Sequence, residues 1–170
     1  TAARHGAHVI TEIPVSLTRS YADAISETCE ENGVLWEVGE QVWLWPKERL
    51  KRRIIDAGLI GKATHARLTY LTGQYHGFSA IRALLGGDAT RVLGYAGEVP
   101  TEPYQAYGGE LESTVQWEHA VVEFSGGAVC LFDKPPHIFP SSMHNYPVGW
   151  QIEGTLGHLS GDALTLYRET

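Results

Sequence analysis

The stretch "HVITEIP", residues 8–14, decides how the rest of the chain is read. Val9 and Ile10 are β-branched and favour extended backbone. Pro14 has no N–H to give to a sheet ladder, so the run reads as a strand that stops on Glu12, just ahead of a proline. Before it, "TAARHGA" reads as the last turn of a helix with Gly6 as its left-handed stop. After it, residues 18–32 carry Ala22, Ile25 and Cys29 at helical spacing. Thr18 or Ser20 is the candidate cap, and Gly33 is the stop. "VLWEVG", residues 34–39, is a second strand. Pro46 opens a further helix at a position where a missing N–H costs nothing. That helix shows Leu50, Ile54 and Ala57 as its inward stripe and Gly58 as its end. The order β-α-β-α with short links is the grammar of a parallel sheet.

Beyond residue 61 the pattern changes. "KATHARLTYL", 62–71, alternates as a half-buried strand does. Residues 77–86 read as a helix with Phe78, Ile81, Leu84 and Leu85 inward. "ATRVLGYAGEV" is a strand, and 100–113, with Pro100, Pro103, Gly108 and Gly109, reads as a loop. "STVQWEHAVVEF" and "AVCLFDK" flank Ser125-Gly126-Gly127, which is a hairpin signal. "WQIEGTLGHLSGDALTLYRE" holds two or three short strands. Residues 62–170 therefore predict a mainly antiparallel sheet with a helix on one face.

Composition sets the outer bounds. The chain has 170 residues, 43% of them hydrophobic and 19% charged, which is a globular balance. Its net charge of −7 argues against nucleic acid and anionic membrane as partners, since both reward a basic face. No run approaches the roughly 18 apolar residues that a membrane span needs. The two cysteines, Cys29 and Cys130, lie in apolar-patterned segments and read as buried free thiols. A protein of a reducing compartment, the cytoplasm, is expected.

Read in order, these elements resemble the glucose–fructose oxidoreductase / inositol dehydrogenase / rhizopine catabolism (Gfo/Idh/MocA) family. Glu12-Ile13-Pro14 is similar to that family's Glu-Lys-Pro element. "LKRRIIDAGLIGKATHARL" resembles its linker helix running into the first strand of its second domain. "AVVEFSGGAVCLF" and the Ile-Glu-Gly-x-x-Gly turn of "WQIEGTLGHLSGDALTLY" resemble its later hairpin and strand turn. The resemblance implies an α/β plus α+β fold. Residues 1–61 would be the closing part of a Rossmann-type dinucleotide-binding domain whose opening strands precede this chain. Residues 62–170 would be an open-sheet substrate and oligomerisation domain. It further implies NAD or NADP as cofactor and hydride transfer to or from a sugar, cyclitol or related polyol. The expected partner is a second copy of the chain or a completing chain.

By the same resemblance, Glu12, Pro14, Gly39 and Gln41 border the nicotinamide. Trp43, Trp45 and Tyr75 line the substrate side, and His76 relays the hydroxyl proton, a task suited to imidazole. Alternative roles stand beside these. Glu12 could stabilise a turn, the tryptophans could fill a seam, and His76 could be a surface histidine at a helix start.

Three departures from the family pattern bear on activity. No G-x-G-x-x-G occurs, so there is no glycine turn to bring backbone amides to a pyrophosphate. Ile13 stands where the family has a lysine, and an isoleucine can neither polarise a hydroxyl nor share its proton. Trp43 stands where the family has an arginine. A non-catalytic binding or oligomerisation module derived from the family is thus the second reading.

Two further features have open readings. The cations Lys47, Arg49, Lys51, Arg52 and Arg53 read as a solvated helix face, with phosphate binding as the alternative. Asp133, His137 and His144 contain metal-ligand types, but at no compact ligand spacing; a lip over a substrate cleft is the other reading.

Overall fold

A computed structural model describes residues 1–69, 74–106, 108–136, 138 and 149–167. The chain divides into two compact units, Thr1–Gln41 and Val42–Thr170. The domain boundary expected from the sequence is 61/62, whereas the compact units divide at 41/42, so residues 42–61 fall in the second unit.

In the first unit a 3-10 turn, Ala3–His5, ends on Gly6 at φ 76°. It leads into β1 (Val9–Thr11), then α1 (Arg19–Glu31) and β2 (Trp36–Val38). β1 and β2 pair in parallel, Val9 opposite Trp36 and Thr11 opposite Val38. The ladder extends by one bond at each end, from Val9 N to the Leu35 carbonyl and from Gly39 N to the Thr11 carbonyl. Trp36 Nε1 donates to Thr11 Oγ1 at 2.9 Å and ties the strands through side chains. Thr18 is the cap of α1, its hydroxyl accepting from Tyr21 N. Gly33, at φ 63°, lets the chain leave α1 in the left-handed region that other residues avoid.

The second unit begins with a 3-10 turn, Val42–Leu44, and α2 (Pro46–Asp56), with Pro46 in its first turn. Then follow β3 (Ala63–Thr69), α3 (Gln74–Leu85), β4 (Ala89–Gln105), β5 (Leu111–Phe124), β6 (Val129–Lys134), β7 (Gly149–Gly154), β8 (Gly157–Ser160) and β9 (Ala163–Leu166). The seven strands form one sheet in the order β4-β5-β6-β3-β7-β8-β9. Every neighbouring pair is antiparallel except β3 and β6. The mainly antiparallel sheet with helices on one face is thus the observed architecture.

Register explains the layering. Ala66 pairs with Cys130 and Ile152, and Leu68 with Phe132 and Trp150, so one strand period places all six on the same face. That face is the core, which Ile81 and Leu84 of α3 and Val122, Phe124 and Leu159 complete. Phe78 joins it, its ring 5.2 Å from that of Phe132. On the opposite face the same pairing aligns Arg67 with Leu131, and His119 with Asp133 and Tyr95. Many of these residues stay exposed, Tyr95 and Leu93 among them.

Two glycines of the Ile-Glu-Gly-x-x-Gly turn are needed for space. A Cβ on Gly154 would collide with the Ile60 carbonyl, and one on Gly157 with the Thr165 carbonyl.

Two expectations are corrected. Of residues 100–113, expected as a loop, 100–105 and 111–113 are strand: β4 runs on through Pro100 and Pro103 to Gln105, and β5 begins at Leu111. Proline is tolerated there because β4 is the edge strand, where a missing donor breaks no inner ladder. In α2 the inward stripe is not Leu50–Ile54–Ala57 as a whole: Ile54 packs against the core together with Ile55, but Leu50 and Ala57 are exposed. Leu50 is 57% exposed, whereas Glu48 and Lys51 are 1% and 8% exposed. Lys51 therefore does not belong to a solvated cationic face. The pair neutralises its own charge, and that permits a polar stripe to face inward.

Candidate functional site

At the C-terminal ends of β1 and β2 the chain brings together three of the residues singled out in the sequence. Glu12 follows β1, the Ile13–Pro14 peptide bond is cis, and Gly39 follows β2. A side chain at Gly39 would touch the Thr11 carbonyl at 3.4 Å and the Glu12 carboxylate at 3.7 Å. Glycine thus keeps the backbone open beside the carboxylate. Glu12 is exposed, its Oε2 accepting from Ile13 N at 3.4 Å. Gln41 lies two residues further on and is exposed. Ends of parallel strands are where open α/β sheets take ligands. This corner offers an acceptor pair and bare backbone.

The second unit holds the remaining candidates. His76 is in the first turn of α3, partly exposed, its ring 4.4 Å from that of Tyr75. Trp43 and Trp45 both present much of their surface to solvent, but they line different clefts. Trp43 lies with Arg49, Arg53 and Leu84 in a cleft of about 650 Å³ between α2 and α3. Trp45 lies with Lys47 and Lys51 in a cleft of about 420 Å³ that reaches Gly149 and Trp150. Two residues of separation, next to the first turn of α2, send the indoles to different sides.

Between those clefts sits a group that hydropathy reading missed. Glu48 Oε1 accepts from Lys51 Nζ at 3.0 Å, and Glu48 Oε2 accepts from Trp150 Nε1 at 2.7 Å. The Lys51 ammonium also lies 5.3 Å from the centre of the Trp150 ring. Both carboxylate oxygens are satisfied, which is the condition for burying a charge. The only sequence signal was the i, i+3 spacing of Glu48 and Lys51. Trp150 is remote in sequence, so nothing local announced it.

Asp133 engages His119 Nδ1 at 2.8 Å on the open sheet face. The other two residues of the metal reading, His137 and His144, lie outside the described residues. Among the described residues no group of three His, Cys, Asp or Glu is placed to hold a metal ion. Cys29 and Cys130 are free and buried, as expected. Burial pushes the Cys130 thiol up to about 12, so it is no nucleophile. No helix among the described residues is long and apolar enough to cross a membrane.

Comparison with known proteins supplies relatives. No protein-family profile matches the chain. It is 27% identical over 145 residues to scyllo-inositol 2-dehydrogenase (NAD(+)) of Bacillus subtilis, covering 75% of this chain and 41% of that protein. Over 64 residues it is 33% identical to 2,7-anhydro-N-acetylneuraminate hydratase of Mediterraneibacter gnavus, covering 38% of this chain and 17% of that protein. Among solved structures, the WlbA dehydrogenase of Bordetella pertussis, in complex with NADH and UDP-GlcNAcA, superposes with a TM-score of 0.73 at 16% identity. That match covers 99% of this chain and 56% of the dehydrogenase. The chain spans less than half the length of the curated relatives it matches.

Proposed function

We propose that the chain is Gfo/Idh/MocA-like, with the fold of the C-terminal part of such dehydrogenases, and that it is the corresponding portion of an NAD(P)-dependent oxidoreductase acting on a sugar, cyclitol or related polyol. The observation that carries this is the parallel β1–β2 pair, followed by Glu12 and Pro14, in a chain that superposes along almost all its length on a dehydrogenase solved in complex with NADH. Residues 1–61 are read as the partial dinucleotide-binding domain and 62–170 as the substrate and oligomerisation domain.

The residues present fit the nicotinamide end of a dinucleotide and not its pyrophosphate. Bare backbone at Gly39 and acceptors at Glu12 suit a ribose and a carboxamide, while the chain contains no G-x-G-x-x-G. When bound, the nicotinamide supplies the hydride acceptor or donor. Glu12, Pro14, Gly39 and Gln41 position that end, and His76 holds the hydroxyl proton of the polyol. Trp43, Trp45 and Tyr75 are the candidate apolar ring faces for the substrate, Trp43 from the cleft between α2 and α3 and Trp45 from the one that reaches Trp150. Ile13 does none of the work of the family's lysine. The exposed sheet face bearing Tyr95, Leu93 and Leu131 is the association surface for a second copy of the chain, since apolar patches of that kind mark interfaces. A cytoplasmic setting suits two free thiols.

A chimaera tests this reading. The chain replaces its matched segment in scyllo-inositol 2-dehydrogenase, and NAD⁺ reduction is followed with a panel of inositols and aldoses. Turnover that rises with Ile13→Lys and is lost with His76→Ala is the expected result. A folded chimaera that binds NAD⁺ but reduces none of it, with or without Ile13→Lys, overturns the proposal. Isothermal titration of the chain by itself should show at most weak binding of NAD(H) or NADP(H).

A further inference from the structure

We infer that the cleft beside the first half of α2 is a binding site for a carboxylate-bearing sugar, a hexuronate or similar sugar acid. This rests on the proposed polyol reading only in assigning Trp45 to the substrate side.

The cleft wraps the end of the sheet where β3 stops at Thr69 and β7 begins at Gly149. From the helix side Trp45, Lys47 and Lys51 line it, and from the strands Arg67 does. Among its described lining residues are three cations, Lys47, Lys51 and Arg67, against one carboxylate, Glu48. Both oxygens of that carboxylate are engaged, one by Lys51 and the other by the Trp150 indole. The cleft is therefore cationic on a chain whose net charge is −7. A local field opposite in sign to the whole molecule selects an anion and is not explained by composition.

The donors are also placed for use. Lys47 and Lys51 stand one turn apart on α2 and so share a face. An ammonium has three donors, and Glu48 takes one of the three on Lys51. Among the described residues Lys47 and Arg67 form no ion pair. The half-exposed indole of Trp45 supplies a flat apolar wall, which suits the C–H face of a pyranose ring. Thr69, Gln151 and Ser160 add neutral groups for hydroxyls. A volume of about 420 Å³ admits a monosaccharide with its water and not a macromolecule.

The test titrates the full chain, without cofactor, with glucuronate and with glucose, by calorimetry and ligand-detected NMR. Glucuronate is expected to bind about tenfold more tightly than glucose, and less tightly as salt rises. Lys47→Gln and Arg67→Gln should each remove most of that difference between glucuronate and glucose. Both side chains are on exposed residues, and unchanged thermal unfolding will show that the variants fold. Equal affinity for the two sugars, no saturable glucuronate binding, or variants that bind glucuronate as the parent does would each overturn the inference. None of these outcomes touches hydride transfer. Loss of NAD⁺ reduction in the chimaera would equally leave this site standing.

Discussion

In Thr1–Gln41 two parallel strands of three residues each bury little, and the buried hydrophobic residues there are Ala3 and Cys29. In Val42–Thr170 a seven-stranded sheet carries helices on one face, with Leu68, Ile81, Cys130 and Ile152 almost wholly removed from water. The first unit leaves Ile10, Leu17 and Leu35 at 79%, 92% and 72% exposure. The difference is one of layers. A parallel sheet normally buries both faces, and two short strands with one helix cannot cover both. An antiparallel sheet tolerates one wet face, so the second unit has a core of its own. Order in the first unit rests instead on local devices: the Thr18 cap, the glycine stops and the Trp36–Thr11 bond.

The sharpest way to break the comparison is to attack the second unit at its buried pair. Lys51→Ala leaves Glu48 charged and enclosed with a single hydrogen bond, and should cost about 3–5 kcal/mol in denaturant unfolding. Lys47→Ala, four residues away and exposed, should stay within about 0.5 kcal/mol. If both cost the same, the inward polar stripe of α2 is not structural. Next, Ile152→Ala should cost about 3 kcal/mol through the cavity it leaves, against about 0.5 kcal/mol or less for Ile10→Ala in the first unit. Equal losses would mean that the first unit buries Ile10 in solution. Thr18→Ala should cost about 1 kcal/mol, read as faster hydrogen exchange confined to α1.

The smallest effect at neutral pH comes from Cys130. Its thiol is raised from 9.0 to about 12 by burial. A raised folded value means that the stabilisation is complete below pH 9 and is lost as pH climbs from 9 towards 12. Cys130→Ser should remove that alkaline fall in the melting temperature. Alkylation of Cys130 in the native chain should be slow until the second unit opens.

Much of this was readable beforehand, and the reasons are local. Thr18, Gly33, Pro46 and the Ser125–Gly127 turn act within a few residues of themselves, so their chemistry predicts caps, stops and a hairpin. Glu12, Pro14 and Gly39 came from the family resemblance, and the strand ends on which they lie were marked by proline and glycine. What local chemistry could not supply was context. Two prolines suggested a loop at 100–105, and only the position of β4 at the sheet edge lets a strand continue through them. Lys51 counted as solvated because its partners, a carboxylate three residues away and an indole on another strand, meet only in the fold.

The sequence by itself determined the order of elements, the parallel start and the antiparallel continuation, because periodicity and turn chemistry are properties of neighbouring residues. Tertiary structure alone decided which face of α2 turns inward, that Trp43 and Trp45 part into separate clefts, and that three cations gather around one of them. Those outcomes depend on pairing between residues far apart along the chain, where the burial of one group is fixed by the charge and shape of another.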